Sequence, residues 1–152
     1  MQCLSRLQDG YELEFNGRTL SLGEANDLPP SALADVFDVT VARPGYGRIT
    51  FLGPTDLRSG MDFAGLVAIG DKKVRVYPED YEDKPPLGEG LNKPSVVEMH
   101  NYHLTDKHGA RVTSQEKMER ALRKLSAAQG VEYLGYDIAT GVYTFKAFHW
   151  SE

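Results

Sequence analysis

Cysteine is nearly missing: Cys3 stands alone in 152 residues, so no disulfide can close within the chain and no zinc site can draw on several thiolates. A reducing compartment, cytosol or nucleus, is the expectation. No block of like charge occurs either. With 17 Lys and Arg against 22 Asp and Glu, the net charge of -5 offers no phosphate-tracking surface, so direct nucleic-acid binding is not expected. No apolar stretch nears the ~20 residues that cross a bilayer. Met1 to Gly10 lacks the charged-then-apolar order of a signal peptide, so a soluble chain without membrane insertion is expected.

The short motifs of familiar chemistry are also missing. There is no G-x-S-x-G elbow, H-E-x-x-H pair, P-loop or dinucleotide fingerprint. Gly88-Glu89-Gly90 has neither the following glycine nor the strand-to-helix setting of a phosphate cradle. His100 and His103, three apart on a predicted strand, point to opposite faces and find no cysteine to complete a metal site. The acidic run Glu79-Asp80-Tyr81-Glu82-Asp83 lacks the spaced ligands and central glycine of a calcium loop and reads as solvated. No metal or organic cofactor is implied.

What is present reads as one domain over residues 1–152, long enough to bury roughly two thirds of the surface its unfolded form exposes. Tyr11 to Phe15 alternates like a short strand. Ser21 and Glu24 have capping-box spacing, while Gly23 and Pro29-Pro30 limit any helix there to a few residues. Phe37, Val39 and Val41 then alternate with Asp38, Thr40 and Ala42, and Pro44-Gly45-Tyr46-Gly47 turns the chain into Arg48 to Leu52. Leu66 to Ile69 and Lys73 to Tyr77 flank a Gly70-Asp71 turn, and Ser95 to Leu104 supplies another strand. Between them, Tyr81 to Lys93 is too rich in Pro and Gly for regular structure and too long for a hairpin loop.

Thr113 to Gln129 is the predicted helix, with Thr113 and Glu116 as its capping box and Gly130 as its stop. Met118, Ala121, Leu122, Leu125 and Ala128 share its apolar face. Val131 to Tyr136 and Val142 to Trp150 form a last hairpin. The class is α+β, a mainly antiparallel sheet with flanking helices.

The final residues, Lys146-Ala147-Phe148-His149-Trp150-Ser151-Glu152, set a histidine two places before a serine. On an extended strand the two side chains share a face, about 6.6 Å apart, so contact requires a bulge or bend. Given one, the imidazole could take the Ser151 hydroxyl proton while that oxygen attacks the carbonyl of Trp150. The product of this N-to-O acyl shift is an ester that water hydrolyses. Read from the tripeptide alone, an ordinary strand end is the simpler account.

Three stretches change that balance: "RPGYGRITFLG" (Arg43 to Gly53), "KVRVYPEDYEDKPPLGEGLNKP" (Lys73 to Pro94) and "YTFKAFHWS" (Tyr143 to Ser151). In this order and spacing the chain resembles, from about Tyr11 to Ser151, the autoproteolytic C-terminal domain of FG-repeat nucleoporins, which anchors its parent to the nuclear pore. The resemblance implies a twisted, mainly antiparallel sheet with a smaller sheet or hairpin and helices around it. It also implies cleavage between Trp150 and Ser151, a nuclear pore location and a part in nucleocytoplasmic transport. Carried over, Ser151 is the nucleophile, His149 the base, Asn92 a donor to the oxyanion and Lys146 a supporting group. The implied partners are scaffold nucleoporins and the chain's own cleaved C-terminal fragment. One departure stands out, because the family usually carries phenylalanine where this chain has Trp150.

Two other readings stay open. The same fold could serve as an interaction module that does not cut; if cutting runs, it is single-turnover serine endopeptidase chemistry. An intein-like or trans-acting hydrolase fits less well, since inteins place a cyclising asparagine where Trp150 stands.

Overall fold

Period-two alternation, broken by a few left-handed residues, builds a wide sheet and two small ones. The computed structural model describes residues 5–78 and 84–150. In chain order its elements are β1 (Glu12–Phe15), β2 (Arg18–Leu20), α1 (Leu22–Asn26), α2 (Pro30–Leu33), β3 (Val36–Phe37), β4 (Thr40–Arg43) and β5 (Gly47–Phe51). There follow β6 (Pro54–Thr55), α3 (Phe63–Leu66), β7 (Val67–Gly70), β8 (Lys73–Val76), β9 (Ser95–Met99), α4 (Gln115–Gln129), β10 (Glu132–Asp137) and β11 (Val142–Ala147). The main sheet has seven strands in the order β10-β11-β9-β5-β4-β1-β2, with every neighbouring pair antiparallel. Two-stranded sheets β3-β6 and β7-β8 sit beside it. This is the expected α+β class.

Register decides which face is dry. Leu13, Val41, Ile49, Val97 and Phe145 lie opposite one another across five strands, and all are buried. Between them on the other face stand Glu14, Arg48, Glu98 and Lys146, all half-buried, with Arg48 paired to Glu14. Helix α4 lends Met118, Leu122 and Ser126 to the core. The Ser126 hydroxyl donates to Leu122 O at 2.8 Å, so it accepts from the buried Tyr143 hydroxyl, 2.5 Å away.

Several boundaries differ from the sequence expectation, each for a local reason. Ser114, not Thr113, caps α4, because Ser114 has the extended backbone (φ -94°, ψ 121°) that lets its hydroxyl accept from Lys117 N–H. The predicted stop at Gly130 is there, left-handed at φ 72°. The alternation from Phe37 breaks at Asp38, whose φ is +51°, so Val36, Val39 and Val41 point inward while Phe37 is exposed. That kink hands the chain from the β3-β6 sheet to the main sheet. The β7-β8 turn falls on Asp71-Lys72, since Gly70 pairs with Lys73. β9 ends at Met99, well short of Leu104, as Asn101 takes a left-handed φ of 54°. β11 ends at Ala147, three residues before Trp150.

A clamped segment as the candidate functional site

The site is assembled from two pieces of chain, the loop that precedes β9 and the tail that follows β11. β9 and β11 are neighbours, with Ser95 opposite Ala147, so the start of one lies beside the end of the other. The proline-glycine loop between β8 and β9 folds back tightly on itself. Gly88 N–H donates to Asn92 O at 2.6 Å, Asn92 N–H to Glu89 O at 3.0 Å, and Leu91 N–H to the Tyr77 hydroxyl at 3.0 Å. Gly90 is required here twice over: its φ is +57°, and a β-carbon would stand 2.9 Å from Tyr77 Oη and 3.1 Å from Pro85 Cγ. The loop thereby presents Asn92 inward, fully buried.

Asn92 grips the tail. Its Oδ1 accepts from the backbone N–H of Trp150 at 2.7 Å, and its Nδ2 donates to Pro85 O at 2.8 Å. Asn92 thus meets Trp150 as an acceptor on its N–H. A second bond holds the same residue at its tip, where the Trp150 indole Nε1–H donates to Ser95 Oγ at 3.0 Å. Ser95 is fully buried and donates its own proton to Lys93 O at 2.9 Å. Lys93 is buried too, its ammonium spent on Pro54 O and the Thr55 hydroxyl. Burial holds that ammonium below the ordinary lysine value, with Asp38 opposing.

Beyond Ala147 the strand alternation ends. Tyr143, Phe145 and Ala147 face the core, then Phe148 and His149 are exposed while Trp150 turns back and packs against the core. An extended strand through Trp150 would have put His149, not Trp150, on the core side. His149 is therefore an exposed imidazole on a bent segment, directly before the held residue. Lys146 projects from the opposite face of β11, where its ammonium lies 5.8 Å from the Phe148 ring. Ser151, the expected nucleophile, lies outside the described residues, as do Cys3 and the acidic run from Glu79 to Asp83.

The structure thus brings Asn92 and Trp150 together, with His149 adjacent in the chain, and sets Lys146 on the far face. Sequence reasoning missed Ser95, Lys93 and Pro85. Only strand register reveals Ser95, though an unpaired indole N–H near a dry strand does call for an acceptor. The two histidines weighed for metal binding are apart from this site: His100 Nε2 is 3.6 Å from Glu98, and His103 Nδ1 is 3.5 Å from Tyr136 Oη. Among the described residues no three His, Cys, Asp or Glu side chains cluster as a metal site would need.

The described residues thus form a wide antiparallel sheet flanked by one long helix, and the segment after its last strand is clamped by an asparagine from a distant loop. Comparison makes the class specific. The chain belongs to the nucleoporin family described as Nup98-96 autopeptidase S59, whose model matches residues 18–152. It is 36% identical over 148 residues to the nuclear pore complex protein NUP98A of Arabidopsis thaliana, covering 95% of this chain and 14% of that protein. The chain therefore spans about a seventh of that relative's length. Its fold is similar to a chain in the yeast heterotrimeric Nup82-Nup159-Nup116 complex, with TM-score 0.77, 22% identity, and 96% and 100% of the two chains covered. Its fold is also similar to that of a Chaetomium thermophilum Nup145N APD mutant fused to Nup145C N, with TM-score 0.71, 24% identity, and coverage of 93% and 94%. The relatives are nuclear pore components, which places this chain at the nuclear pore.

Proposed function

We propose that residues 1–152 act as one pore-anchoring domain that matures by cutting its own chain between Trp150 and Ser151. The observation that carries this reading is the double hold on Trp150, through its backbone N–H by Asn92 and its indole by Ser95. Holding the backbone N–H and the side chain together fixes the direction of the Cα–C bond and so the place of the carbonyl carbon, and an attack on that carbon depends on placement to within about 1 Å.

His149 takes the proton from Ser151 Oγ, and that oxygen forms a bond to the Trp150 carbonyl carbon. The tetrahedral intermediate collapses as the bond from that carbon to the Ser151 nitrogen breaks, and the nitrogen leaves with a proton returned by His149. Water then splits the ester, restoring the hydroxyl and leaving a carboxylate on Trp150. Asn92 acts as a positioning residue, and Lys146, on the opposite face of β11, contributes only its positive charge from a distance. No step draws on a cofactor.

For anchoring, the partner is a scaffold nucleoporin, as the Nup82-Nup159-Nup116 complex illustrates for a relative of this fold. The chain's own downstream fragment is a second partner, in line with the Nup145N–Nup145C fusion. A groove of about 730 Å³ between β7-β8 and α4 suits a protein segment, with Met99 and Tyr102 in its floor and Arg43, Lys72, Lys73 and Arg75 along its walls. It runs along β11 past Tyr143 to Phe145, which stands about 6.6 Å in strand rise from Ala147. The test is the intact mass of purified chain extended past Glu152. Two fragments in the parent and one unbroken species in Ser151→Ala, with both folded, are the expected result. An unbroken parent would leave the non-cutting interaction module as the function.

A further inference from the structure

From the bond between its hydroxyl and the indole we infer that Ser95 determines which residue can stand at position 150, by reading the indole N–H. The inference rests on the cleavage reading for its effect on rate, but not for its effect on structure.

Donor and acceptor roles here are unambiguous. An indole nitrogen can only donate, and a backbone carbonyl can only accept. Ser95 Oγ has one proton, and Lys93 O, 2.9 Å away, is positioned to take it. The lone pairs then face Trp150 Nε1, 3.0 Å away. The serine backbone is the first residue of β9, pinned by pairing to both Ala147 of β11 and Phe51 of β5, so its hydroxyl cannot drift to follow a different ring. Full burial of Ser95 means that water does not replace a lost partner.

Residues 95 and 150 therefore select each other. A phenyl ring at 150 brings no donor, leaving the Ser95 lone pairs facing carbon. An alanine at 95 leaves the indole N–H without its acceptor. Either change alone lets the ring, and with it the Trp150 carbonyl, settle away from the attacking oxygen. When both are made together, apolar meets apolar and the mismatch disappears. The family's usual phenylalanine at this place then demands no hydroxyl from residue 95, whereas tryptophan does.

The experiment is a double-mutant cycle of Ser95→Ala and Trp150→Phe in chain extended beyond Glu152, read by cleavage rate and thermal unfolding, plus indole N–H exchange in the two variants that keep tryptophan. Trp150 is the only tryptophan, so one indole signal reports the bond. Ser95→Ala is expected to slow cleavage about tenfold and to speed exchange of the indole proton, with the amide spectrum otherwise native. Trp150→Phe alone is expected to slow cleavage by a similar factor, and the double variant to recover most of the rate. Strictly multiplicative effects, or an indole proton that exchanges at the same rate with alanine at 95, overturn the inference. If the parent chain does not cut, the cleavage proposal fails by itself. Exchange and the coupling in unfolding midpoints then still decide whether Ser95 reads the indole.

Discussion

Replacing Asn92 should release the segment at Trp150, and the size of the effect follows from what the side chain touches. Asn92→Ala removes two hydrogen bonds, of 2.7 Å to Trp150 N–H and 2.8 Å to Pro85 O, and leaves both partners unpaired in part-buried surroundings. At about 0.5–1.5 kcal/mol for each bond, with a further penalty for each group left unpaired, the loss is about 2–4 kcal/mol. Asn92→Asp separates the two contacts. A carboxylate still accepts from Trp150 N–H, but its other oxygen now faces the Pro85 carbonyl. Burial and that carbonyl raise the carboxyl pKa above its unfolded value. A raised carboxyl pKa means that the folded state binds the proton more tightly, and the protonated acid can donate to Pro85 O as the amide does. Asn92→Asp should therefore resemble the parent in acid and lose stability as pH rises through the folded pKa. Urea unfolding across pH, followed by the fluorescence of the lone tryptophan, measures both effects. A loss under about 0.5 kcal/mol for Asn92→Ala, or an Asp variant whose deficit does not change with pH, would refute the reasoning.

Two further outcomes follow from the buried hydroxyls. Ser126→Ala leaves the Tyr143 hydroxyl dry and without its acceptor, costing about 1–3 kcal/mol in chemical denaturation, whereas Ser126→Ala with Tyr143→Phe removes both polar ends and should cost less than the single change. Burial raises the tyrosine pKa values of Tyr102, Tyr136 and Tyr143, and raises Tyr133 to about 12, with the Glu119 carboxylate adding to it. These groups ionise first in the unfolded chain, so the stability they confer is complete below pH 10 and is lost as pH rises toward about 12. Phenolate absorbance and unfolding should change together in that window; full tyrosine ionisation in a folded chain would contradict it.

Much of the fold was legible because it depends on local patterns. The Pro44 to Gly47 turn, the hairpins, the α4 helix and its Gly130 stop each rest on residues within a few places of one another. Boundaries were less legible where one backbone torsion decides them, as at Asp38 and Asn101, since the left-handed state at a non-glycine is stabilised by partners from elsewhere. Asp38 shows this, its carboxylate accepting from Gly53 N–H while its own N–H donates to Gly53 O.

The sequence by itself determined the antiparallel α+β class, the long helix, and the membership that its Gly-Glu-Gly-Leu-Asn run and His-Trp-Ser ending signal, because composition, period and motif are properties of neighbouring residues. Only the tertiary structure decided what holds Trp150. Asn92 and Trp150 are 58 positions apart, Ser95 and Trp150 are 55 apart, and the antiparallel pairing of β9 with β11 is what closes that distance. No local pattern encodes such a register, which emerges from the way five strands bury a common apolar row.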